Sequence, residues 1–205
     1  FSTEAGNAIA SVLMGDVNPS GKLPFTFPVS LADVGAHKLG EYPGTPRNDG
    51  SNIVDEKYNE SIFVGYRWTD KEKITPLFPF GHGLSYTSYK YGKAVIDKNI
   101  MGDDEVLTVT VPITNIGMRA GSEIVQMYIS DLKSSLPRPV KELKGFSKVS
   151  LEPGETKKVT FTINKEALSF FDDVRHEWIA EPGIFKAIIA ASATDIRSSV
   201  IFEYK

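Results

Sequence analysis

Val106-Leu107-Thr108-Val109-Thr110-Val111-Pro112-Ile113 is the stretch whose reading decides the fold. Leu107, Val109, Val111 and Ile113 are apolar, and Thr108 and Thr110 stand between them. That period of two belongs to a strand that buries one face and shows the other to water. Downstream the same pattern returns at short intervals. Asn115-Ile116-Gly117 reads as a turn, and residues 124–129 follow with Val125, Met127 and Ile129 inward and Gln126 outward. Residues 141–151 carry Leu143, Phe146, Val149 and Leu151, and Glu152-Pro153-Gly154-Glu155 reads as the next turn. Val159, Phe161 and Ile163 then alternate with Lys158, Thr160 and Thr162. Residues 177–179, 185–191 and 200–204 complete six or seven short strands. Such strands with turn signals between them predict an antiparallel β-sandwich of the immunoglobulin or fibronectin type III kind.

Upstream the period is lost. Residues 32–83 include Glu41-Tyr42-Pro43-Gly44-Thr45-Pro46-Arg47-Asn48-Asp49-Gly50, which is loop chemistry throughout. Within this stretch residues 62–68 read as a strand, and residues 77–87 are dense in aromatics and glycine. So long a loop is unusual unless it packs over something large. The first residues predict one short helix with a stripe of Ala5, Ala8, Ile9, Val12 and Leu13, capped by Ser2 or Thr3 and ended by Gly15. Lys22-Leu23-Pro24-Phe25-Thr26-Phe27-Pro28 predicts an extended segment, and its prolines place it at an edge.

Composition bounds the function. The chain has 205 residues, 41% hydrophobic, with 12 Phe, 8 Tyr and 2 Trp, enough for a core. Lys and Arg number 23 against 26 Asp and Glu, a net charge of −3, so nucleic acid and anionic membranes are not expected partners. No apolar run approaches the roughly 18–20 residues of a membrane-spanning helix. Cysteine is absent, which excludes disulfides, a thiol nucleophile and thiolate metal sites. His37, His82 and His176 lie far apart with no ligand spacing. No metal and no cofactor is expected. The chain opens Phe1-Ser2-Thr3-Glu4 rather than with Met, which suggests a piece of a longer protein.

Five motifs in order carry a resemblance. They are Gly15-Asp16-Val17-Asn18-Pro19-Ser20-Gly21-Lys22-Leu23-Pro24, Val64-Gly65-Tyr66-Arg67, and Phe78-Pro79-Phe80-Gly81-His82-Gly83-Leu84-Ser85-Tyr86-Thr87. Thr114-Asn115-Ile116-Gly117 with Gly121-Ser122-Glu123-Ile124-Val125-Gln126-Met127-Tyr128, and Lys141-Glu142-Leu143-Lys144-Gly145-Phe146, complete the set. The sequence resembles the C-terminal third of family 3 glycoside hydrolases of the β-glucosidase and β-xylosidase type. The resemblance implies that residues 1–31 are the last helix and strand of an α/β sandwich domain. It implies that residues 32–83 are an interdomain connector and that residues 84–205 are a fibronectin type III-like domain. It also implies hydrolysis of terminal β-D-glucosyl residues with retention, a periplasmic or secreted setting, and a scaffolding role for this part. A retaining pair needs two carboxylates about 5–5.5 Å apart. The family's nucleophilic Asp and acid/base Glu belong to its other domains, no residue here matches either motif, and the isolated chain is expected to be inactive. Ser61 departs from the pattern, which more often has Gly or Asp there. The alternative function is a stand-alone carbohydrate-binding or adhesion sandwich.

Several residues bear weighing. Asp103-Asp104-Glu105 and Asp172-Asp173 are neighbours in turns, expected to be solvated; a calcium site from Asp172, Asp173 and Glu177 fits no established loop spacing. His82 is expected to hold its turn by hydrogen bonding, with contact to other domains as the functional reading. Arg67 is expected in an interdomain ion pair or cap rather than on substrate. Trp68, Tyr42, Phe78 and Phe80 either form a sugar-stacking platform or anchor the connector, and anchoring is the expectation. Asn59-Glu60-Ser61 is a formal glycosylation acceptor. Leu23, Phe25 and Phe27 require a partner surface. Residues 1–83 are therefore expected to be partly disordered, folded back on the sandwich, or packed on a second copy, while residues 84–205 fold on their own.

Overall fold

The computed structural model describes residues 3–205. Its centre is a sandwich of two sheets. Strand β6 (Leu107–Asn115) buries its alternate residues completely, Leu107, Val109, Val111 and Ile113 among them. It pairs antiparallel with β9 (Thr156–Ile163), Leu107 against Ile163. Its other edge is covered in two pieces, by β3 (Tyr89–Tyr91) and β4 (Val95–Ile96). The break falls at Gly92, whose N–H reaches the Pro112 carbonyl at 2.8 Å and where a side chain would strike the Pro112 ring.

The second sheet has five strands in the order β5 (Ile100–Met101), β13 (Ile196–Tyr204), β12 (Gly183–Ala190), β7 (Gly121–Asp131) and β8 (Glu142–Leu151). The β5 pairing is parallel and the rest are antiparallel. Val125, Met127, Ile129, Phe185, Ala187, Ile189 and Phe202 meet the β6 and β9 residues in one continuous core. Each large side chain buried there contributes roughly 1.5–3 kcal/mol. Short α4 (Lys165–Leu168), capped by Asn164 accepting from the Ala167 amide, and the hairpin of β10 (Phe170–Asp172) with β11 (Glu177–Ile179) close one end. The sandwich and its alternating strands are as the sequence predicts.

The opening helix α1 (Ala5–Met14) ends where expected, at Gly15 with φ +82°. Its N-cap is Glu4 and makes no side-chain capping bond, so Thr3 does not cap it, and Ser2 lies outside the described residues. The stretch that follows contains a 3-10 turn (Leu31–Asp33), α2 (Gly35–Lys38), and a small hairpin of β1 (Thr45–Pro46) with β2 (Val54–Asp55) inside what reads as loop. Residues 22–28 are extended, but only Phe27 forms a bridge, to Phe78; no strand of the kind expected is formed. The Leu23 amide donates to the His82 carbonyl, and the Gly81 amide donates back to Leu23. The segment thus pairs through Leu23 and Phe27 with residues 77–82 of the same chain, and Phe25 stays 51% exposed.

Two expectations are corrected. Residues 62–68 are not a strand: α3 (Tyr66–Glu72) occupies the second half. Gly65 at φ +61° turns the chain into the helix, and Trp68 and Thr69 become its buried face. The second correction is Gln126, which does not face outward. It is 3% exposed, because both faces of β7 are covered. Tyr128, Ile188, Ala190 and Ala193 form a second cluster on the outer face of the five-stranded sheet, and Tyr66, Phe80 and Leu143 pack on it. Part of the connector covers this face through Tyr66 and Phe80, which is why so long a loop stays packed.

Candidate functional site

The connector and sandwich meet along a seam in which the singled-out residues sit. Arg67, on α3, places Nη2 3.3 Å from Glu142 of β8, and Glu142 also accepts from Arg138 at 2.7 Å. Arg138 is buried and reaches Asp131 and the Leu168 carbonyl as well, so one charged network ties connector, β7, β8 and α4 together. Three buried or half-buried partners of this kind make a charge-assisted network of specific geometry rather than a loose surface pair. One turn of helix along, Asp70 pairs with Lys141, whose ammonium is buried over the rings of Tyr66 and Tyr128 at 5.9 and 5.7 Å. The Tyr66 hydroxyl accepts from the Leu143 amide at 3.0 Å.

Trp68 is 4% exposed and donates from Nε1 to the Asp33 carbonyl at 3.0 Å. It is an anchor under α2 rather than a surface ring: a side chain on Gly35 would meet its six-membered ring at 3.1 Å. The four aromatics do not converge. Phe80 stacks on Tyr66 at 5.4 Å, Phe78 lies against Phe27 and His82, and Tyr42 is exposed beside His37. His82 holds its turn through the main chain: its amide donates to Pro79 and its carbonyl accepts from Leu23. Among the described residues its imidazole has no hydrogen-bond partner; the ring packs 5.2 Å from Phe78 instead. The hydrogen-bonded imidazole of the sequence reading is therefore corrected to a packed one.

The Gly81 loop reaches the sandwich through Gln126. The Gln126 amide donates to the Ala191 carbonyl at 3.0 Å and toward the Gly81 carbonyl at 3.4 Å, and its oxygen accepts from the Tyr128 hydroxyl at 2.6 Å. The Phe80 carbonyl accepts from the Ala193 amide. Burial, with Tyr66 and Asp70 nearby, pushes the Tyr128 phenol well above its usual range, so it stays a donor. Asn18 does the same work at the other end. Its side chain donates to the Ala120 carbonyl and accepts from Ser85 and the Tyr86 amide, tying the first turn cluster to both connector and sandwich. Buried Asn115 is satisfied by the Arg119 and Leu151 carbonyls, Thr87 and the Gly117 amide.

The acidic turns are surface features. Asp103 pairs with Lys165 and accepts from the Tyr204 hydroxyl, and Glu105 pairs with Lys98. Asp172 accepts from the Val174 and Arg175 amides. Among the described residues no group of three or more His, Cys, Asp or Glu is arranged to hold a metal ion. Sequence reading named Gln126 only as an outward strand and motif residue, Lys141 only as part of a motif, and Asp70 not at all. The signal for Gln126 was a polar residue in a strand flanked by Tyr128, and it is ambiguous without knowing that the outer face is covered.

The architecture defines a fibronectin type III-like sandwich carrying a packed helix-and-connector segment on one sheet. Residues 2–86 match the Glycosyl hydrolase family 3 C-terminal domain, and residues 123–193 match the Fibronectin type III-like domain. The chain corresponds to the C-terminal portion of family 3 glycoside hydrolases, including their fibronectin type III-like domain. It is 54% identical over 201 residues to Beta-glucosidase BoGH3A of Bacteroides ovatus, covering 97% of this chain and 26% of the relative. It is 48% identical over 191 residues to Thermostable beta-glucosidase B of Acetivibrio thermocellus, covering 93% of this chain and 24% of the relative. Beta-glucosidase 3B from Thermotoga neapolitana, solved in complex with glucose, superposes with TM-score 0.85 at 38% identity, over 98% of this chain and 26% of that one. The chain thus spans about a quarter of the length of the relatives it matches.

Proposed function

We propose that this chain serves as the C-terminal part of a β-glucosidase that hydrolyses terminal non-reducing β-D-glucosyl residues with retention. In that enzyme it scaffolds the catalytic domains and supplies no catalytic carboxylate. The observation that carries this reading is the seam: α3 and the Gly81 loop are fixed to the outer face of the five-stranded sheet by Lys141 with Asp70, Arg67 with Glu142, and Gln126. A segment so fixed can transmit the rigidity of the sandwich to whatever packs on its exposed side. Residues 1–31, 32–83 and 84–205 then act as the end of an α/β layer, a clasp and a support. A periplasmic or secreted setting belongs to the same proposal. A stand-alone binding module is disfavoured, because the connector covers the sheet face that such a module would present.

The test is an exchange. The purified 205-residue chain is assayed with p-nitrophenyl β-D-glucoside, and so is a chimera in which it replaces the corresponding quarter of the Bacteroides ovatus enzyme. The isolated chain is expected to be inactive and the chimera active, since losing nucleophile and proton transfer together removes many powers of ten in rate. Turnover by the isolated chain, or a folded but inactive chimera, overturns the proposal.

A further inference from the structure

A cleft of about 240 Å³ lies between residues 25–28, α2 and α3, room for one long side chain. Its walls are mostly apolar, with Phe25, Val34, Phe63 and Val64 around it. One residue breaks that character. Glu60 lines the cleft and is 8% exposed. Neither of its carboxylate oxygens accepts a hydrogen bond among the described residues; Oε2 is sealed from solvent and Oε1 is not. Gly35 lets the stem of Glu60 pack closely, because a side chain there would meet Glu60 at 3.2 Å and Trp68 at 3.1 Å. Trp68 is held in turn by the Asp33 carbonyl. A carboxylate buried to this degree is normally paired, and leaving it unpaired is costly. It is the group in the lining with most to gain from an incoming donor.

The charge of the lining has one sign. Asp33 brings a second carboxylate, whose Oδ2 accepts from the Ser30 amide at 2.9 Å. No Lys, Arg or His is among the described residues that line the cleft. Two lysines stand nearby, and neither pairs with Glu60: Lys38 is taken by Glu72 at 2.7 Å, and Lys71 lies over the Phe63 ring at 4.1 Å. The lining therefore attracts a cation and repels an anion. Its rim is apolar and open, since Phe25, Val34 and Val64 are all exposed. A buried charge ringed by exposed apolar side chains is the anatomy of a protein contact with a polar anchor at its centre. An arginine meets each of these features. Its stem is apolar, its planar head is more weakly hydrated than an ammonium, and its five donors suit a carboxylate.

We propose that this cleft is a socket for a guanidinium group: an arginine side chain from the part of the enzyme outside this chain, with its head on Glu60 and its stem along Phe25 and Val64. The source of the arginine rests on the reading of this chain as one part of a larger β-glucosidase, in whose relatives about three quarters of the polypeptide lies elsewhere. The socket itself is contained in this chain and is read without turnover.

The test has two arms. In the first, the uniformly 15N-labelled 205-residue chain is titrated with Nα-acetyl-L-arginine methyl ester, whose only charge is the guanidinium, and amide chemical shifts are followed. Saturable millimolar shifts are expected at the amides of residues 33–36 and 60–69. The citrulline counterpart, alike in shape but uncharged, is expected to bind at least about tenfold more weakly, and the lysine counterpart about threefold more weakly. Glu60→Gln is expected to weaken binding of the arginine probe at least about tenfold. Because the Glu60 carboxylate makes no hydrogen bond within the described chain, the same change is expected to leave the urea midpoint of the isolated chain unchanged or raised. Absence of saturation, equal binding of the citrulline or lysine probe, or undiminished binding in a folded Glu60→Gln chain overturns the socket. In the second arm Glu60→Gln is placed in the chimera with the Bacteroides ovatus enzyme, where it is expected to lower the temperature of half-inactivation. A chimera whose heat stability Glu60→Gln does not lower overturns the assignment of the arginine to the rest of the enzyme. A folded but inactive parent chimera overturns the β-glucosidase reading and the occupant with it, while the first arm still decides the socket.

Discussion

The side-chain amide of Gln126 fills the space where Gly81 would carry a side chain. A Cβ built on Gly81 falls inside contact distance of all three Gln126 amide heavy atoms, and Gly81 holds φ at +80°. Two requirements therefore coincide at one position: a left-handed backbone, and room for a buried amide that bonds three neighbours.

Gly81→Ala is accordingly expected to cost about 2–4 kcal/mol, from left-handed strain together with overpacking. Urea unfolding of the full chain measures it. A loss below about 1 kcal/mol would mean that the Gly81 loop detaches from the sheet at little cost.

Lys141→Ala leaves Asp70 without its partner at a half-buried position, and a loss of about 3 kcal/mol is expected. The double replacement Lys141→Met with Asp70→Leu is expected to recover most of it, because the pair is surrounded by the rings of Tyr66 and Tyr128. Equal losses in the single and double variants would show that packing, and not the pairing of charge, dominates there.

Ser61 has φ +54°, in the left-handed region, where the resemblance leads one to expect Gly or Asp. Ser61→Gly is expected to raise stability by up to about 1 kcal/mol, and Ser61→Val to lower it by about 1–2 kcal/mol. The paired urea midpoints decide the matter: if the glycine variant is the less stable of the two, the strain assigned to this turn is absent.

Stability is expected to be flat between about pH 5 and about pH 9.5 and to fall on both sides. Backbone amides hold Asp97 (from Thr108), Asp172 (from Arg175) and Glu155 (from Glu152) below the usual carboxylate range, and Ser135 does so for Glu181. With the folded value depressed, the unfolded chain takes up protons first, so this contribution is complete above the ordinary carboxylate values and lost as pH falls through the depressed ones. Burial raises the Tyr91 and Tyr128 phenols, so the unfolded chain ionises first and their contribution is lost above about pH 10. Urea midpoints across pH 3–11 would show a slope near pH 6–7 instead if a histidine governed the transition.

What was legible in the sequence follows how local each cause is. Leu107, Val109, Val111 and Ile113 state their own burial, because a period of two on one strand needs no knowledge of the rest. Gly15 and Gly154 mark their turns for the same reason, both at positive φ. Residues 62–68 misled because β-branched Ile62 and Val64 and aromatic Phe63, Tyr66 and Trp68 favour strands, while the decision for a helix came from Gly65 and from the pocket that receives Trp68. Phe146, counted with the apolar residues of its strand, is 70% exposed: it lies an odd number of residues from Val149 and Leu151 and so faces the other way, while the register slip between Leu143 and Gly145 brings Leu143 onto the outer face opposite Tyr128. Gln126 and Lys141 were unreadable because their partners, Gly81 and Asp70, lie 45 and 71 residues away. The meeting of Lys22 with Glu123, far apart in sequence, was unreadable for the same reason.

The doubly covered β7 bears on how such a chain can be shuffled by recombination or by an engineer. A sandwich with one sheet face open is a bead that can be cut from its string and threaded elsewhere. Here a crossover between Gly81 and β3 would part Asp70 from Lys141 and Gly81 from Gln126, and hand the recipient a sheet with Tyr128 and Ile188 uncovered. A crossover before Asn18 would keep every one of those pairs in the same parent, along with the bond from Asn18 to Ala120. The heritable unit is the sandwich together with its cover, and its natural seam for exchange lies well upstream of its first strand.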